Sequence, residues 1–172
     1  AQKQSEVVIK TKAHTALIND IVLVPNSNLV LTCSFDKTIK IWNTNTMAYE
    51  DELLGEIGGE GLGTYNKIRV SPDGKKVAAT CIAFPISTVN VGNHMGVRVF
   101  DIASRKLEKL IPERFSDICG MEYIHDGKTL LIASALQMYF IDCATWKISD
   151  TAIAPFDEDI TKVFYCKKQV HF

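Results

Sequence analysis

The sequence predicts an all-β protein built from repeated four-stranded units. Its apolar residues alternate or run in short blocks of four to eight, rich in Val, Ile, Phe and Tyr, which is typical of strands. Clusters of turn-forming residues bound these blocks and recur in the same order along the chain, which indicates an internal repeat. No segment carries apolar residues at i, i+3, i+4 and i+7 over three turns, so helix is expected to be nearly absent.

Composition excludes several classes of protein. The chain has 172 residues, 19 Lys and Arg, 20 Asp and Glu, and a formal net charge of −1. A domain of this length can bury a core without metal or disulfide staples. The balanced charge and the small size of the basic clusters do not favour binding to nucleic acid or to anionic lipid. No run of apolar residues is long enough to span a membrane, so no membrane partner is expected.

The cysteines indicate a reducing compartment. They are odd in number, widely separated and mostly within apolar runs: Cys33, Cys81, Cys119, Cys143 and Cys166. No C-x-x-C pair is present, so we expect free thiols rather than a zinc knuckle or a redox site. The four histidines lack metal-ligand spacing as well. The sequence therefore predicts a cytoplasmic or nuclear protein with no metal and no cofactor.

The strands and turns follow one another in a fixed order. Apolar runs predict strands at residues 7–9, 18–24, 29–33, 39–42, 68–70, 77–83, 97–100, 118–124, 130–133, 138–141 and 160–165. A first class of turn, typical of hairpins, lies at 25–28, 71–74 and 125–128. A second class follows each third strand, at 43–46, 101–104 and 142–145.

The spacing of the second turn class gives the length of the repeat. Asp101 and Asp142 are 41 residues apart, whereas Asn43 and Asp101 are 58 apart. The extra residues of the longer unit fit a Gly-rich stretch at 55–63 and a long loop at 84–94. Four strands in a unit of about 40 residues are typical of the blades of a β-propeller.

The units add up to about three and a half blades. The predicted blades span about 12–55, 64–112 and 115–153, and flanking strands at 6–11 and 159–172 are assigned to neighbouring blades. Closed propellers typically have about four to eight blades, so we expect an incomplete ring within a single partial domain, 1–172. Unpaired strand edges and uncovered blade faces would favour aggregation. Three sources of the remaining blades are left open: the same longer chain, another chain, or a second copy of this one.

The first unit resembles a WD repeat. That family's motif is a Gly-His pair followed, after some 25 to 40 residues, by a closing Trp-Asp; here the pairs are Ala13-His14 and Trp42-Asn43. The spacing from Asp36 to Trp42 also agrees with the family. As a strand pattern the resemblance covers most of the chain, but as a motif it covers only the first unit. The other two units keep the turn chemistry and lose the signature residues.

The resemblance implies a structural tetrad. His14, a strand hydroxyl, Asp36 and Trp42 would form one hydrogen-bonded line; the hydroxyl is assigned to Ser34, with Thr32 as the alternative. A Ser-His-Asp set also suggests nucleophilic catalysis, but no G-x-S-x-G elbow is present. We therefore interpret these residues as a buried brace and expect no catalytic residues.

Two insertions lengthen the second unit, and each has its own interpretation. The Gly-rich stretch lacks a Lys-Ser/Thr closure and contains two acids, Glu56 and Glu60, so it is interpreted as a loop between blades rather than a phosphate loop. The long loop at 84–94 is apolar and would lie on the face that receives partners in the resembling family; the alternative is that it folds against its own blade. By that analogy, the partner-binding candidates are Phe35, Lys37, Tyr65, Phe84, Asn93, His94 and Phe115.

These observations predict a non-catalytic scaffold that binds protein or peptide partners as a subunit or segment of a larger assembly. The alternative is a regulatory or targeting propeller arm of a larger enzyme. No cluster of acids at matching positions of successive units supports catalysis by the chain itself.

Overall fold

The computed structural model describes residues 12–54, 63–82, 94–116, 118–134, 137–153, 164–166 and 169–171. The first sheet contains β1 (Ile18–Leu23), β2 (Leu29–Ser34), β3 (Thr38–Asn43) and β4 (Ala48–Leu54). The second contains β5 (Tyr65–Val70), β6 (Lys76–Ile82), β7 (His94–Asp101) and β8 (Lys106–Ser116). The third contains β9 (Ile118–Ile124), β10 (Thr129–Ser134), β11 (Gln137–Asp142) and β12 (Lys147–Ile153).

Each sheet is an antiparallel meander whose strands pair in chain order. A hairpin of β13 (Phe164–Cys166) and β14 (Gln169–His171) follows, and β13 contacts β9. The first strands β1, β5 and β9 contact one another in sequence, so we call them the inner strands. The upper end of each sheet is where its inner strand begins, and the lower end is where that strand ends. Turns 24–28, 71–75 and 125–128 therefore lie at the lower end.

The three inner strands share one irregular register. In each of them a bulge follows the first residue, as between Tyr65 and Lys67 in β5. The bulge shifts the alternation of side chains, so Tyr65 lies on the same face as Ile68 and Val70. Pairing with the second strands makes the following sets equivalent: Ile18, Tyr65 and Ile118; Ile21, Ile68 and Met121; Leu23, Val70 and Tyr123.

The core lies in two seams between successive sheets. In the first seam, Leu31, Ile39 and Ile41 of the first sheet pack against residues of the second sheet that include Tyr65 and Ile68. The second seam repeats this arrangement between the second and third sheets. Its buried residues include Val97, Ile111, Met121 and Ile132. The central strands β6 and β7 of the second sheet contribute residues to both seams, which explains why most of their residues are buried.

The lower-end turns hold neighbouring sheets together through close backbone contact. Gly74 has φ of +73°, and a Cβ placed there would lie 2.8 Å from the carbonyl oxygen of Pro25 in the first sheet. Gly127 has φ of +84°, and its Cβ would lie 3.0 Å from Cδ of Pro72 in the second sheet. Both positions need a left-handed backbone and leave little room for a side chain, so glycine suits them on two grounds.

The predicted all-β architecture of blade-like sheets in an open arc is confirmed in the described residues. Among the described residues, the only helical element is a single 3-10 turn at His125–Gly127. None of the described segments forms a helix that could cross a membrane. The predicted flanking strand at 6–11, most of the Gly-rich stretch and most of the long loop at 84–94 lie outside the described residues.

Candidate functional site

A hydrogen-bonded line of four side chains runs from Trp42, partly buried on β3, to Asp36 at the upper end of the first sheet. The Trp42 indole N–H donates to Thr32 Oγ1 at 2.8 Å, and Thr32 Oγ1 lies 2.7 Å from His14 Nε2. His14 Nδ1 lies 2.8 Å from Asp36 Oδ2. An ionised carboxylate only accepts, so His14 donates from Nδ1, and in the neutral ring the Thr32 hydroxyl donates to Nε2. The donors thus run in one direction, from Trp42 to Asp36.

Asp36 collects hydrogen bonds from both sides of this line. It accepts from the Thr15 N–H at 3.0 Å, from the Thr38 N–H at 3.0 Å and from the Thr38 hydroxyl at 2.6 Å. Burial alone would raise the pKa of this carboxyl, but hydrogen bonds from Thr38, His14 and Thr15 outweigh it and hold the pKa below its ordinary value of 3.8. Asp36 therefore ties the segment before β1 to the β2–β3 turn.

The strand hydroxyl in this line belongs to Thr32, which corrects the assignment to Ser34. The β2–β3 register places Val30 opposite Trp42, so Thr32 is the next residue on the same face and lies within reach of the indole. Ser34 lies one pleat further, beside the turn, and its hydroxyl accepts the Asp36 N–H at 3.1 Å. Ser34 therefore supports the turn rather than the line.

The line does not have the exposure that a nucleophile needs. The side chains of His14 and Asp36 are 3% and 5% exposed, and Thr32 is buried. A nucleophilic hydroxyl must reach a substrate and face an oxyanion site. These contacts instead satisfy polar groups that packing has removed from water, as a structural brace does. Among the described residues, no group of three or more His, Cys, Asp or Glu side chains could hold a metal ion.

A pocket of about 330 Å³ opens at the upper end, where all three sheets meet. Phe35 in the β2–β3 turn forms the wall from the first sheet, and Ile82 and Met95 of β6 and β7 form the wall from the second. Ile118 and Cys119 at the start of β9 complete it. We call this the upper pocket. Phe35 is 46% exposed, and Lys37, at φ of +69°, is partly exposed beside it.

Two of the partner-binding candidates are buried, which corrects their assignment. Tyr65 is fully buried in the first seam, where its ring meets Phe100 edge-on at 6.3 Å between centroids. Phe115 is buried in the second seam against Tyr139 at 4.9 Å. Because both rings are removed from water, neither can contact a partner. Of the remaining candidates, His94 begins β7, while Phe84 and Asn93 lie outside the described residues.

A charged line along the inner strands was not among the sequence predictions. Arg69 Nη1 lies 2.8 Å from Asp20 Oδ2 in the first sheet, and Arg69 Nε lies 3.2 Å from Glu122 Oε2 in the third. Asp20 Oδ2 also accepts the Ile68 N–H at 3.1 Å. One guanidinium therefore links three sheets. The signal in the sequence is a charged residue within each of the three inner strands, Asp20, Arg69 and Glu122.

Comparisons with known proteins agree with this geometry. Residues 5–43 match the family described as WD domain, G-beta repeat, and this range contains all four residues of the brace. A segment of 84 residues is 31% identical to Protein hir1 of Schizosaccharomyces pombe (strain 972 / ATCC 24843). The aligned segment is 48% of this chain and 9% of that relative, so the chain spans only a small part of the relative's length. With its brace, its blade-like sheets and these matches, residues 5–43 are similar to a WD repeat, and the chain as a whole resembles the WD-repeat family in its sheet pattern.

Proposed function

We propose that this chain is a non-catalytic protein–protein interaction scaffold, a subunit or segment of a larger multiprotein assembly. The observation that carries this proposal is an exposed apolar row on β1. Ile18, Ile21 and Leu23 are 51%, 65% and 70% exposed, whereas their equivalents on β5 and β9 are at most 8% exposed. The same positions that form a seam in the second and third sheets are open to water in the first.

The occupant that fits this row is another four-stranded sheet of the same kind. The row continues the pattern of two existing seams, in which an apolar sheet face covers the equivalent residues of the next inner strand. A contiguous exposed apolar face of this kind marks an interaction surface. The covering sheet is proposed to come from further blades, in the same longer chain, in another chain or in a second copy.

Thiol labelling of the native, full-length protein tests whether another sheet covers the apolar row on β1. We expect Ile21→Cys to react with a maleimide about tenfold more slowly than Leu107→Cys, because a docked sheet must open before the reagent can enter. Leu107, on β8, is 49% exposed and serves as the matched control. Mass spectrometry of the labelled peptides measures both rates. Equal rates would show that the row stays open to water and would overturn the proposal.

The upper pocket is the proposed site for a protein or peptide partner. It combines an exposed aromatic ring, a neighbouring lysine and an apolar wall, and exposed aromatic residues are frequent anchors of protein interfaces. Asn66 adds a polar group at its rim. Phe35 and Lys37 are therefore the partner-binding residues that we retain from the sequence predictions.

We expect Phe35→Ala to weaken capture of at least one partner about tenfold without lowering the melting temperature, because the ring is anchored mainly in the interface. Leu107→Ala is the control, since it removes another exposed apolar side chain. Quantitative mass spectrometry of co-purified proteins, combined with thermal unfolding of each variant, provides the measurement. If Phe35→Ala and Leu107→Ala retain the same partners to the same extent, Phe35 is not a contact residue.

The alternative function is a regulatory or targeting arm of a larger enzyme. The mass of the native polypeptide distinguishes the two, since the alternative requires a separate catalytic domain on the same chain. We also propose a cytoplasmic or nuclear location, which is supported by four described cysteines that form no disulfide: Cys33, Cys81, Cys119 and Cys143.

A further inference from the structure

A second cavity lies at the lower end, between the turns of the second and third sheets. Its volume is about 200 Å³, and Ser71, Lys76, Tyr123, Cys143 and Trp146 are among the residues that line it. We call it the lower cavity. At about 30 Å³ for each water molecule, its volume equals that of roughly seven waters or of a short organic chain.

The first seam shows what closes the equivalent space. There the corresponding positions hold the apolar residues Val24, Leu29 and Ile102, which pack into the core. In the second seam the same positions hold Ser71, Lys76 and Cys143. Smaller or polar side chains thus replace the apolar filling, and the lower cavity results. Among the residues that the structure describes, the lower cavity is therefore specific to the second seam and does not occur in the first.

The floor of the lower cavity carries a polar group with no partner. Tyr123 is 4% exposed, and no donor or acceptor among the described residues hydrogen-bonds its phenol oxygen. The equivalent residue in the first seam is Val70, which has no polar atom to satisfy. A buried hydroxyl without a hydrogen bond is costly, so a ligand that supplies one is favoured there.

Two carboxylates and one indole ring are among the groups that line the cavity with this phenol. Asp73 and Asp126 lie in exposed turns; the Asp73 carboxylate faces the Lys75 ammonium at 3.9 Å, and the ammonium of Lys76 is paired with Glu108. Burial raises the pKa of the Tyr123 hydroxyl, and the nearby charges of Asp73 and Glu108 raise it further. Burial also raises the pKa of the Cys143 thiol to about 11, so this group is neutral at pH 7.

Trp146 supplies an aromatic wall. It ends the turn after β11 with φ of +56°, a position that Met47 and Arg105 occupy in the first and second sheets. Hydrogen bonds from Thr145 to Asp142 and from the Trp146 N–H to the Asp142 carbonyl at 2.7 Å fix this turn. The indole therefore reaches the lower cavity from a constrained backbone. An aromatic face beside carboxylates attracts organic cations.

We propose that the lower cavity binds the ammonium or guanidinium end of a lysine or arginine side chain from a partner protein. The Tyr123 oxygen accepts a hydrogen bond from the cation, the Trp146 ring faces it, and Asp73 and Asp126 balance its charge. This site lies at the opposite end of the sheets from the upper pocket, so it goes beyond the function proposed above and can fail independently of it.

The chain contains two tryptophans, and this makes NMR of the indole N–H groups a direct test. We expect n-butylammonium chloride to shift the Trp146 signal, with a dissociation constant of about 1–10 mM. Trp42, held by Thr32 in the first sheet, provides an internal reference. n-Butanol, which has the same shape without charge, should bind at least about tenfold more weakly. Equal binding of n-butanol, or binding of inorganic phosphate instead, would overturn the proposal.

Variants copied from the first seam provide the matched controls. The double variant Ser71→Val with Cys143→Ile should fill the lower cavity and abolish the Trp146 shift, while Ala144→Ile in the exposed turn should leave it unchanged. An unchanged Trp42 signal verifies the fold of each variant. Asp73→Asn should weaken binding about threefold to tenfold, because it removes one unit of negative charge. Full binding by the double variant would show that the shift arises elsewhere.

The peptide acetyl-Gly-Lys-Gly-amide distinguishes the source of the cation. If it shifts Trp146 at least as strongly as butylammonium at equal concentration, a partner's side chain is the occupant. If only butylammonium binds, the side-chain assignment is wrong and the occupant is a free amine.

Discussion

Replacing Asp36 with asparagine should lower the free energy of unfolding by about 2–4 kcal/mol at neutral pH. The amide is nearly the same size, but its nitrogen is a hydrogen-bond donor. It would face groups whose hydrogen bonds the carboxylate now accepts. The side chain is 5% exposed, so water cannot replace the lost bonds from His14 and from the Thr15 N–H. Urea unfolding of both proteins measures the difference.

Asp73→Asn is the control for this substitution. Asp73 also sits in a tight turn and accepts hydrogen bonds from Ser71 Oγ and the Lys75 N–H. Because its side chain is more than half exposed, we expect a loss of only about 0.5 kcal/mol. If the two variants lose the same stability, the brace contributes no more than an ordinary turn.

The Asp36 effect should depend on pH in one direction. The folded pKa lies below the ordinary value of 3.8, so ionised Asp36 stabilises the folded state. That contribution is complete above the ordinary pKa and is lost as the pH falls through the lower folded value. The stability gap between wild type and Asp36→Asn should therefore be constant near neutrality and shrink in strong acid. A gap that widens on acidification would contradict the assignment.

The strands and turns were predictable because each has a local cause. Alternation with a period of two marks the strands, and Asn or Asp at the start of each second-class turn accepts N–H groups two or three residues ahead. Asn43, Asp101 and Asp142 all do so. Repeats of such local signals fix the units without any long-range information.

The burial of Tyr65 had no such local cause. Plain alternation puts Tyr65 on the face of Lys67 and Arg69, near water. The bulge after Tyr65 instead turns it onto the face of Ile68, inside the first seam. The residues around Tyr65 carry no sequence signal for a bulge. The position of the bulge becomes clear only when the strand pairing is compared with that at Ile18 and Ile118.

The brace was predictable in three of its four members. His14, Asp36 and Trp42 follow from the motif, but Thr32 and Ser34 lie on the same strand face, and spacing alone does not select between them. The register of β2 against β3 selects Thr32. Pairing across strands also explains the buried Lys40–Glu52 ion pair at 2.9 Å, because the two residues lie directly opposite each other in β3 and β4.

Gly74→Ala should lower the free energy of unfolding by about 2–4 kcal/mol. The left-handed backbone at φ of +73° contributes about 1–2 kcal/mol for any residue with a Cβ. The rest comes from the seam, because the added methyl group would lie 2.8 Å from the Pro25 carbonyl oxygen. Backbone of the first sheet would have to shift to relieve this contact.

Gly127→Ala separates these two causes. It has a comparable left-handed penalty at φ of +84°, but its Cβ would meet ring carbons of Pro72, Cδ at 3.0 Å and Cγ at 3.6 Å, rather than backbone. A side-chain ring can move by a few tenths of an ångström more easily than a carbonyl in a packed turn. We therefore expect a smaller loss, about 1–2 kcal/mol, measured by urea unfolding under the same conditions. The difference between the losses of unfolding free energy in Gly74→Ala and Gly127→Ala then measures how strongly the backbone of the first seam resists displacement. If Gly127→Ala lost as much or more, the close approach of Gly74 to the Pro25 carbonyl oxygen would not explain the requirement for glycine at position 74.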